Sequence, residues 1–148
     1  MSEPMFLADS SIWLAARRNR ESYLAELLAD RVARDEVATC TPVALEVLST
    51  SPGAGLDHEW RVLWEHLRWL PADDAIVQRG LELLRELGRT EDGAKPRRPL
   101  AFVVAACAEA SGDVTVWHWD DDLTAVCEFA GIPHGPEHEW ASGAGLVA

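Results

Sequence analysis

The chain has 148 residues, of which 48% are apolar, so it can form one domain with its own core and needs no disulfide or structural metal. Its formal net charge of −12 excludes a broad basic surface that coats nucleic acid, but not a small acidic site that reaches phosphates through bound cations. No stretch has the length and apolarity of a membrane span, and MSEPMFLADS lacks the features of a signal peptide. We therefore expect a cytoplasmic protein without a membrane partner, with Cys107 and Cys127 reduced and buried in its core.

Short apolar runs alternate with helical patterns in the first half of the chain. The predicted elements are a strand over Met5–Ala8, a helix over SSIWLAARR, a helix over Ser22–Arg34, a strand over Glu36–Cys40 and a helix over PVALEVLST. Ser10 or Ser11 is expected to cap the first helix, and Pro42 to lie in the first turn of the third. The glycine- and proline-containing segment SPGAG then predicts a break.

The second half continues the alternation. Helices are predicted over Leu56–Leu67, Asp73–Arg89, Pro99–Gly112 and Asp121–Gly131, with a loop over Thr90–Arg98 and a strand over Val114–Trp119. Strands that alternate with helices predict a three-layer α/β domain, a mainly parallel sheet flanked by helices. We assign residues 1–148 to one domain and expect residues 141–148 to form a loose tail.

Two basic clusters interrupt the acidic chain. They are Arg17, Arg18 and Arg20, and Lys95, Arg97 and Arg98. Each is either a landing place for an anionic partner or a set of solvated loop charges.

Three acids stand where a parallel α/β fold would bring them together. Asp9 closes the first strand, Asp120 closes the last predicted strand, and Glu46 is a polar residue in an otherwise apolar helical turn. Each has an ordinary alternative: Asp9 and Asp120 as helix caps, Glu46 in solvent or paired with an arginine. Clustered carboxylates must protonate or gather cations, and oxygen ligands without His or Cys favour Mg²⁺ or Mn²⁺ over zinc.

Three segments together resemble a known family. MFLADSSIWL, TPVALEVLS and VTVWHWDDDLTAVCEFAGIP are similar, in order and spacing, to the motifs of PIN-domain proteins, and within them to the VapC toxins of toxin–antitoxin pairs. The resemblance covers residues 5 to 140. It implies a PIN fold and a ribonuclease whose acidic pocket binds one or two Mg²⁺ or Mn²⁺ ions, with a metal-activated water attacking the phosphodiester.

The resemblance also implies roles for individual residues. Asp9, Glu46 and Asp120 correspond to the metal-organising acids, and Asp122 to a supporting acid of the closing motif. Ser11 corresponds to the small polar residue that hydrogen-bonds within the pocket.

One acid of the family's pattern is missing. When Val104, Ala105 and Ala106 of RRPLAFVVAAC are aligned with the family's apolar-Ala-Ala, Ala101 stands where an Asp is expected. Glu109 lies about 12 Å further along the helix axis, at 1.5 Å per residue, and no spacing fixes Asp92 near the site.

Two origins of Ala101 compete: deliberate replacement that silences a toxin, or natural decay of a PIN domain kept for binding. We favour replacement because the other acids are intact. Either origin predicts poor cleavage, because groups that hold a metal act as a unit.

The resemblance implies an RNA substrate, a homodimer and a small antitoxin that lays a helix in a groove and directs a basic residue toward the acids. Among the seven tryptophans, Trp60 and Trp64 share a helical face that suits an interface, although core positions are as compatible with Trp13, Trp64 and Trp117.

The alternative function is a non-catalytic PIN-fold module that binds protein. We assign His118, His134 and His138 no ligand role, since nothing in the sequence pairs them.

Overall fold

A computed structural model describes residues 4–90 and 95–136 of the chain. The predicted tail over residues 141–148, Asp92 and His138 lie outside these ranges. The described residues form an α/β fold around one sheet. In these residues no helix has both the length and the apolarity that crossing a membrane requires.

The sheet has five parallel strands among the described residues. They are β1 (Phe6–Ala8), β2 (Val37–Thr39), β3 (Arg68–Trp69), β4 (Thr115–Trp117) and β5 (His134–Gly135). Their order across the sheet is β3-β2-β1-β4-β5. Each connection between consecutive strands contains helix, as parallel neighbours require.

Seven helices lie in the described part of the chain. They are α1 (Ser10–Arg18), α2 (Tyr23–Ala33), α3 (Thr41–Ser49), α4 (Gly53–His66), α5 (Asp74–Thr90), α6 (Pro99–Ser111) and α7 (Asp121–Ala130). Glycines in the left-handed conformation end two of them, Gly112 after α6 (φ 74°) and Gly131 after α7 (φ 71°), as predicted.

The core lies on both faces of the sheet. Successive strand residues point to opposite faces, yet every residue of β1 and β2 is buried, so helices cover both sides. The apolar α6 is buried over most of its length, and all three cysteines are buried, as expected for Cys107 and Cys127. These features confirm the predicted three-layer arrangement with its parallel central sheet.

The strand order places a switch point between β1 and β4. From β1 the chain moves outward to β2 and β3, and it then returns to add β4 on the other side of β1. A crevice forms outside the carboxyl ends of the strands at such a point. Asp9 directly follows β1 and Asp120 follows β4 by three residues, so both lie at this crevice.

Several details differ from the sequence prediction. The strands β3 and β5 were not predicted, because two residues are too few to show an alternating pattern. The helix α4 begins at Gly53, inside the segment expected to be a break. Asp9, rather than Ser10 or Ser11, caps α1, since its side chain accepts a hydrogen bond from the Ser11 backbone N–H.

The tryptophans divide between core and surface. Trp13 and Trp117 are buried. Trp64 is 52% exposed, so the alternative that placed it in the core was wrong. It stacks on Trp69 with 4.4 Å between ring centroids, and Trp60 lies beside it at 5.6 Å.

Candidate functional site

Three of the predicted acids converge on one point, and an arginine occupies it. Arg98 donates hydrogen bonds to Asp9 Oδ1 (2.8 Å), Glu46 Oε1 (2.5 Å) and Asp120 Oδ2 (2.5 Å). These acids come from the end of β1, the middle of α3 and the start of α7, and Arg98 itself is the residue before α6. The fold therefore brings the acids together as predicted, around a cation that belongs to the same chain.

The Arg98 guanidinium has five N–H donors, and the carboxylates accept from all three of its nitrogens. Nη1 and Nη2 form a fork on Asp9, with the second bond at 3.2 Å, while Nε and Nη2 form a fork on Glu46, with the Nε bond at 3.1 Å. The remaining Nη1 donor serves Asp120. Paired N–H···O bonds of this kind fix the orientation of the guanidinium in addition to the charge attraction, so the acids hold Arg98 tightly.

Helix capping fixes two of the acids in place. Asp9 Oδ2 accepts from the Ser11 backbone N–H (3.1 Å) and from Ser11 Oγ (2.7 Å). Asp120 Oδ1 accepts from the backbone N–H groups of Asp122 (2.8 Å) and Leu123 (3.0 Å), while its Oδ2 faces Arg98. The alternative that both acids are helix caps is therefore also correct. Each of the two carboxylates caps a helix and also accepts from Arg98.

Two serines hydrogen-bond to the acids of the pocket. Ser10 Oγ donates to Glu46 Oε1 at 3.1 Å and lies 3.3 Å from Arg98 Nη2. Ser11 Oγ, which donates to Asp9, accepts from the Trp119 backbone N–H at 3.0 Å. Ser11 thus hydrogen-bonds within the pocket, and Ser10 is a further pocket residue that the sequence did not single out.

Asp122 holds the segment that carries Arg98. Its Oδ1 accepts from Arg97 Nη1 at 2.8 Å, and its Oδ2 accepts from the Arg98 backbone N–H at 2.6 Å. Burial opposes ionisation of this carboxyl, but the hydrogen bonds from Arg98 and Arg97 lower the pKa of Asp122 below its ordinary value. Asp122 therefore lies beside the acid cluster and positions its counter-ion.

The pocket places these charges largely out of solvent. The Asp9 side chain has no exposed surface, and those of Asp120 and Arg98 are 16% and 22% exposed. Burial works against the arginine's charge, but the hydrogen bonds to Glu46 and Asp9 raise the pKa of Arg98 above its ordinary value. Three carboxylates and one guanidinium leave a net formal charge of −2 at the pocket.

Ala101, which stands where the family's pattern has an acid, is close to Arg98 in the chain. Ala101 is fully buried in the first turn of α6, three residues after Arg98, and its backbone N–H donates to the Arg98 carbonyl at 3.2 Å. Glu109 does not replace the acid, because Arg79 Nε donates to its Oε1 at 2.8 Å on the α5 side of the helix. The described residues therefore give the cluster three carboxylates and no fourth at this position.

A divalent ion does not fit the pocket as its side chains stand. The donor chemistry suits Mg²⁺ or Mn²⁺, because the three side chains that converge offer carboxylate oxygens. Arg98 nevertheless takes up the facing oxygens of all three, and in the described residues no group of three His, Cys, Asp or Glu side chains is arranged to hold a metal ion.

Two histidines beside the pocket are paired, contrary to expectation. His118 Nε2 and His134 Nδ1 lie 3.0 Å apart, and His118 Nδ1 accepts from the Asp120 backbone N–H at 3.1 Å. An unprotonated Nδ1 leaves the proton of neutral His118 on Nε2, which then donates to His134. Burial and the neighbouring His134 lower the pKa of His118, so the neutral form is favoured.

Three arginines of the two basic clusters have specific partners in the structure. The other members, Arg18, Arg20 and Lys95, are exposed, as the alternative of solvated charges predicts. The Arg97 and Arg98 side chains are 7% and 22% exposed and bind acids of the site, so neither a free anion site nor solvated loop charges describes them. Arg17 donates to the carbonyls of Val47 and Thr50 at the end of α3, each at 3.0 Å. The sequence signal for Arg98 was present, as a basic cluster one turn before the vacant acid position, but loop charges usually face solvent.

A groove lies on another surface of the molecule. It has a volume of about 470 Å³ and is lined by α1, α2 and α4, with Trp13, Leu28 and Val32 among its apolar residues. Arg17, Glu59 and His58 supply polar groups to the same lining. An apolar floor with charged groups suits an amphipathic segment.

Comparisons with known proteins agree with this architecture. The family model described as PIN domain matches residues 6–128. The chain is 29% identical over 132 residues to "Ribonuclease VapC18" of Mycobacterium tuberculosis (strain ATCC 25618 / H37Rv), a match that covers 87% of this chain and 92% of that protein. A solved structure, VapBC2 from Rickettsia felis bound to a DNA fragment from their promoter, has a similar fold, with a TM-score of 0.60 at 16% identity, covering 87% of this chain and 93% of that one.

Proposed function

Since this chain belongs to the PIN domain family, we propose that it is an endoribonuclease toxin of a toxin–antitoxin pair, weakened because Ala101 stands where a metal-site Asp is expected. The observation that carries this proposal is the convergence of Asp9, Glu46 and Asp120 on one cation at the switch point of the sheet. The similarity to a VapC-type ribonuclease supports the choice of RNA as substrate.

The proposed metal is Mg²⁺ or Mn²⁺, held by Asp9, Glu46 and Asp120 with support from Asp122, and it would supply Lewis-acid activation of water and phosphate. The chain's own residues prepare this site. The capping bonds orient the carboxylates of Asp9 and Asp120, and Ser11 fixes one oxygen of Asp9. These bonds hold the carboxylate groups of Asp9 and Asp120 in fixed orientations toward the centre of the pocket.

Two features of this chain work against cleavage. The carboxylate expected at position 101 is replaced by a methyl group, and Arg98 takes up the oxygens that the metal would need. The groups of such a site act as a unit and their effects are not additive. Loss of one group therefore reduces activity by far more than a proportional fraction. We therefore expect little cleavage by the chain as written.

The test is cleavage of a panel of structured RNAs in Mg²⁺ or Mn²⁺ by three proteins: this chain, its Ala101→Asp variant, and the Ala101→Asp/Asp9→Asn double variant. We expect the Ala101→Asp variant to cleave at least a hundredfold faster than this chain, and the double variant to lose that gain. Cleavage by folded Ala101→Asp that is no faster than that of this chain would contradict the proposal that the missing acid at position 101 limits cleavage.

The second candidate function is a PIN-fold module that binds protein without catalysis. The specific observation in its favour is the acid pocket neutralised in part by Arg98. It predicts that Ala101→Asp leaves the protein folded and inactive, so the same cleavage experiment separates the two functions.

A protein antitoxin is the proposed partner, and the groove of α1, α2 and α4 is its proposed docking site. The solved VapBC2 assembly with a similar fold supports a partner of this class. The apolar residues of the groove suit one face of a helix, and the acidic chain suits a basic partner.

A homodimer is also part of the proposal. Trp60 and Trp64 are each 52% exposed on α4, and Leu45 is 58% exposed on the neighbouring α3. Tryptophan is enriched among the residues that contribute most of the binding energy at protein interfaces.

A further inference from the structure

We propose that Arg98 is a built-in counter-ion of the acid cluster that competes with divalent cations for the same oxygens, so that metal binding requires Arg98 to withdraw. This inference rests on the proposed function, because it concerns regulation of the same site. It follows from the mismatch between an acid cluster suited to Mg²⁺ and a pocket centre that a guanidinium already occupies.

The contacts make joint occupancy unfavourable. Both oxygens of Asp9 and both oxygens of Glu46 face Arg98, and Asp9 Oδ2 also accepts from Ser11. Asp120 contributes Oδ2 to Arg98, and its Oδ1 accepts the capping bonds of α7. An ion that reached the pocket centre would meet carboxylate oxygens already used and a positive group at hydrogen-bond distance from them.

The charge balance favours exchange of one cation for another. With Arg98 the three carboxylates retain a net charge of −2, and with a divalent ion in its place they retain −1. The ion is therefore the better counter-charge, but binding must first break the paired hydrogen bonds that hold the guanidinium. That requirement lowers the apparent metal affinity of the free chain.

The backbone of Arg98 is held by a separate hydrogen bond outside the cluster. Asp122 accepts from the Arg98 backbone N–H and from Arg97, which ties the start of α6 to the start of α7. Withdrawal of the side chain alone leaves this backbone contact intact. We therefore place the motion in the Arg98 side chain, which is partly exposed at 22% and has a path to solvent.

The test measures Mn²⁺ binding directly, by electron paramagnetic resonance of the free ion, in this chain, Arg98→Gln and the Glu46→Gln/Arg98→Gln double variant. Arg68→Gln is the matched control, since it removes a paired arginine–carboxylate contact, to Asp113, in another part of the fold. We expect Arg98→Gln to bind Mn²⁺ at least fivefold more tightly than this chain, Arg68→Gln to bind it unchanged, and the double variant to lose the gain. A gain of less than fivefold in folded Arg98→Gln overturns the proposal.

A second measurement uses the unaltered chain, in case Arg98→Gln does not fold without metal. The Arg98 Nε–H is hydrogen-bonded to Glu46 and is expected to give a protected signal by nuclear magnetic resonance. Titration with Mg²⁺ should abolish that protection as the ion binds. Saturation with Mg²⁺ while the signal stays protected would overturn the proposal. Neither measurement uses RNA cleavage, so failure of the nuclease proposal leaves a distinct result: exchange of Arg98 for metal in a protein that does not cut RNA.

Discussion

At the scale of single residues, Arg98 and its acids are unequal partners. The guanidinium forms three ion pairs, whereas each carboxylate forms one ion pair within the cluster and is repelled by the two other acids. Removing the arginine leaves every repulsion in a largely buried pocket, while removing one acid relieves two of them.

We therefore expect Arg98→Gln to lower the free energy of unfolding by about 3–5 kcal/mol in metal-free buffer, the range found when a buried pair loses one partner. Glu46→Gln should change it by less than about 1 kcal/mol, because the amide oxygen still accepts from Ser10 or Arg98 and two repulsions between acids are removed. Urea unfolding with chelator present measures both values. Equal losses in the two variants would contradict this unequal partnership.

His118 gives the molecule a pH dependence. Its burial lowers its pKa in the folded state, whereas the unfolded chain titrates near the ordinary value of about 6.5. The unfolded state thus binds more protons as pH falls below that value, so stability is full above about pH 6.5 and declines below it.

The expected slope is at most about 1.4 kcal/mol per pH unit for one proton, measured by urea unfolding between pH 7.5 and 5.5. In His118→Gln the decline should become shallower, while in His58→Gln, which changes an exposed histidine, it should match that of the unaltered chain. An identical decline in His118→Gln would assign the pH dependence to other groups.

At the scale of secondary structure, the start of α7 serves both fold and site. Asp120 caps the helix with Oδ1 and binds Arg98 with Oδ2. The capping bonds therefore hold the Asp120 carboxylate at a fixed distance from the helix backbone.

Two variants separate these roles of Asp120. Both Asp120→Asn and Asp120→Ala lose the charge, but asparagine keeps an oxygen that can cap the helix. We expect the free energy of unfolding of Asp120→Ala to be about 1 kcal/mol lower than that of Asp120→Asn, as measured by thermal or urea denaturation. Equal stability of the two would mean that the capping bonds add nothing.

Most elements, and the meeting of three acids, could be predicted from the sequence. Asp9 and Asp120 follow apolar strands, and parallel strands bring their carboxyl ends to one edge. Glu46 was recognisable as a polar residue in an apolar turn. Each signal is local, and the predicted parallel α/β fold is what brings the acids together.

Arg98 could not be predicted in the same way, because its role depends on distant contacts. It lies 89 residues from Asp9 along the chain, in a segment whose composition is that of a loop. The strands β3 and β5 were missed for a related reason: each has two residues and exists through pairing with β2 or β4. Local pattern carries no information about such tertiary partners.

At the scale of the whole molecule, the proposed dimer has a test in the exposed tryptophans. We expect Trp60→Glu to weaken self-association at least tenfold, because a charge placed in an apolar interface loses solvation. Leu81→Glu, at a residue 64% exposed on α5, is the matched control and should leave association unchanged. Sedimentation velocity over a concentration series measures the self-association of both variants. Equal effects of the two variants would show that α4 is not part of the interface.

The most direct test of the proposed function combines its two obstacles to cleavage. RNA cleavage in Mg²⁺ is compared among this chain, Ala101→Asp, Arg98→Gln and the variant that carries both changes, each checked for folding. We expect the combined variant to cleave fastest, since it has four carboxylates and no competing guanidinium, and this chain to cleave slowest. If all four proteins fold and none cleaves RNA, the acid cluster is not a nuclease site.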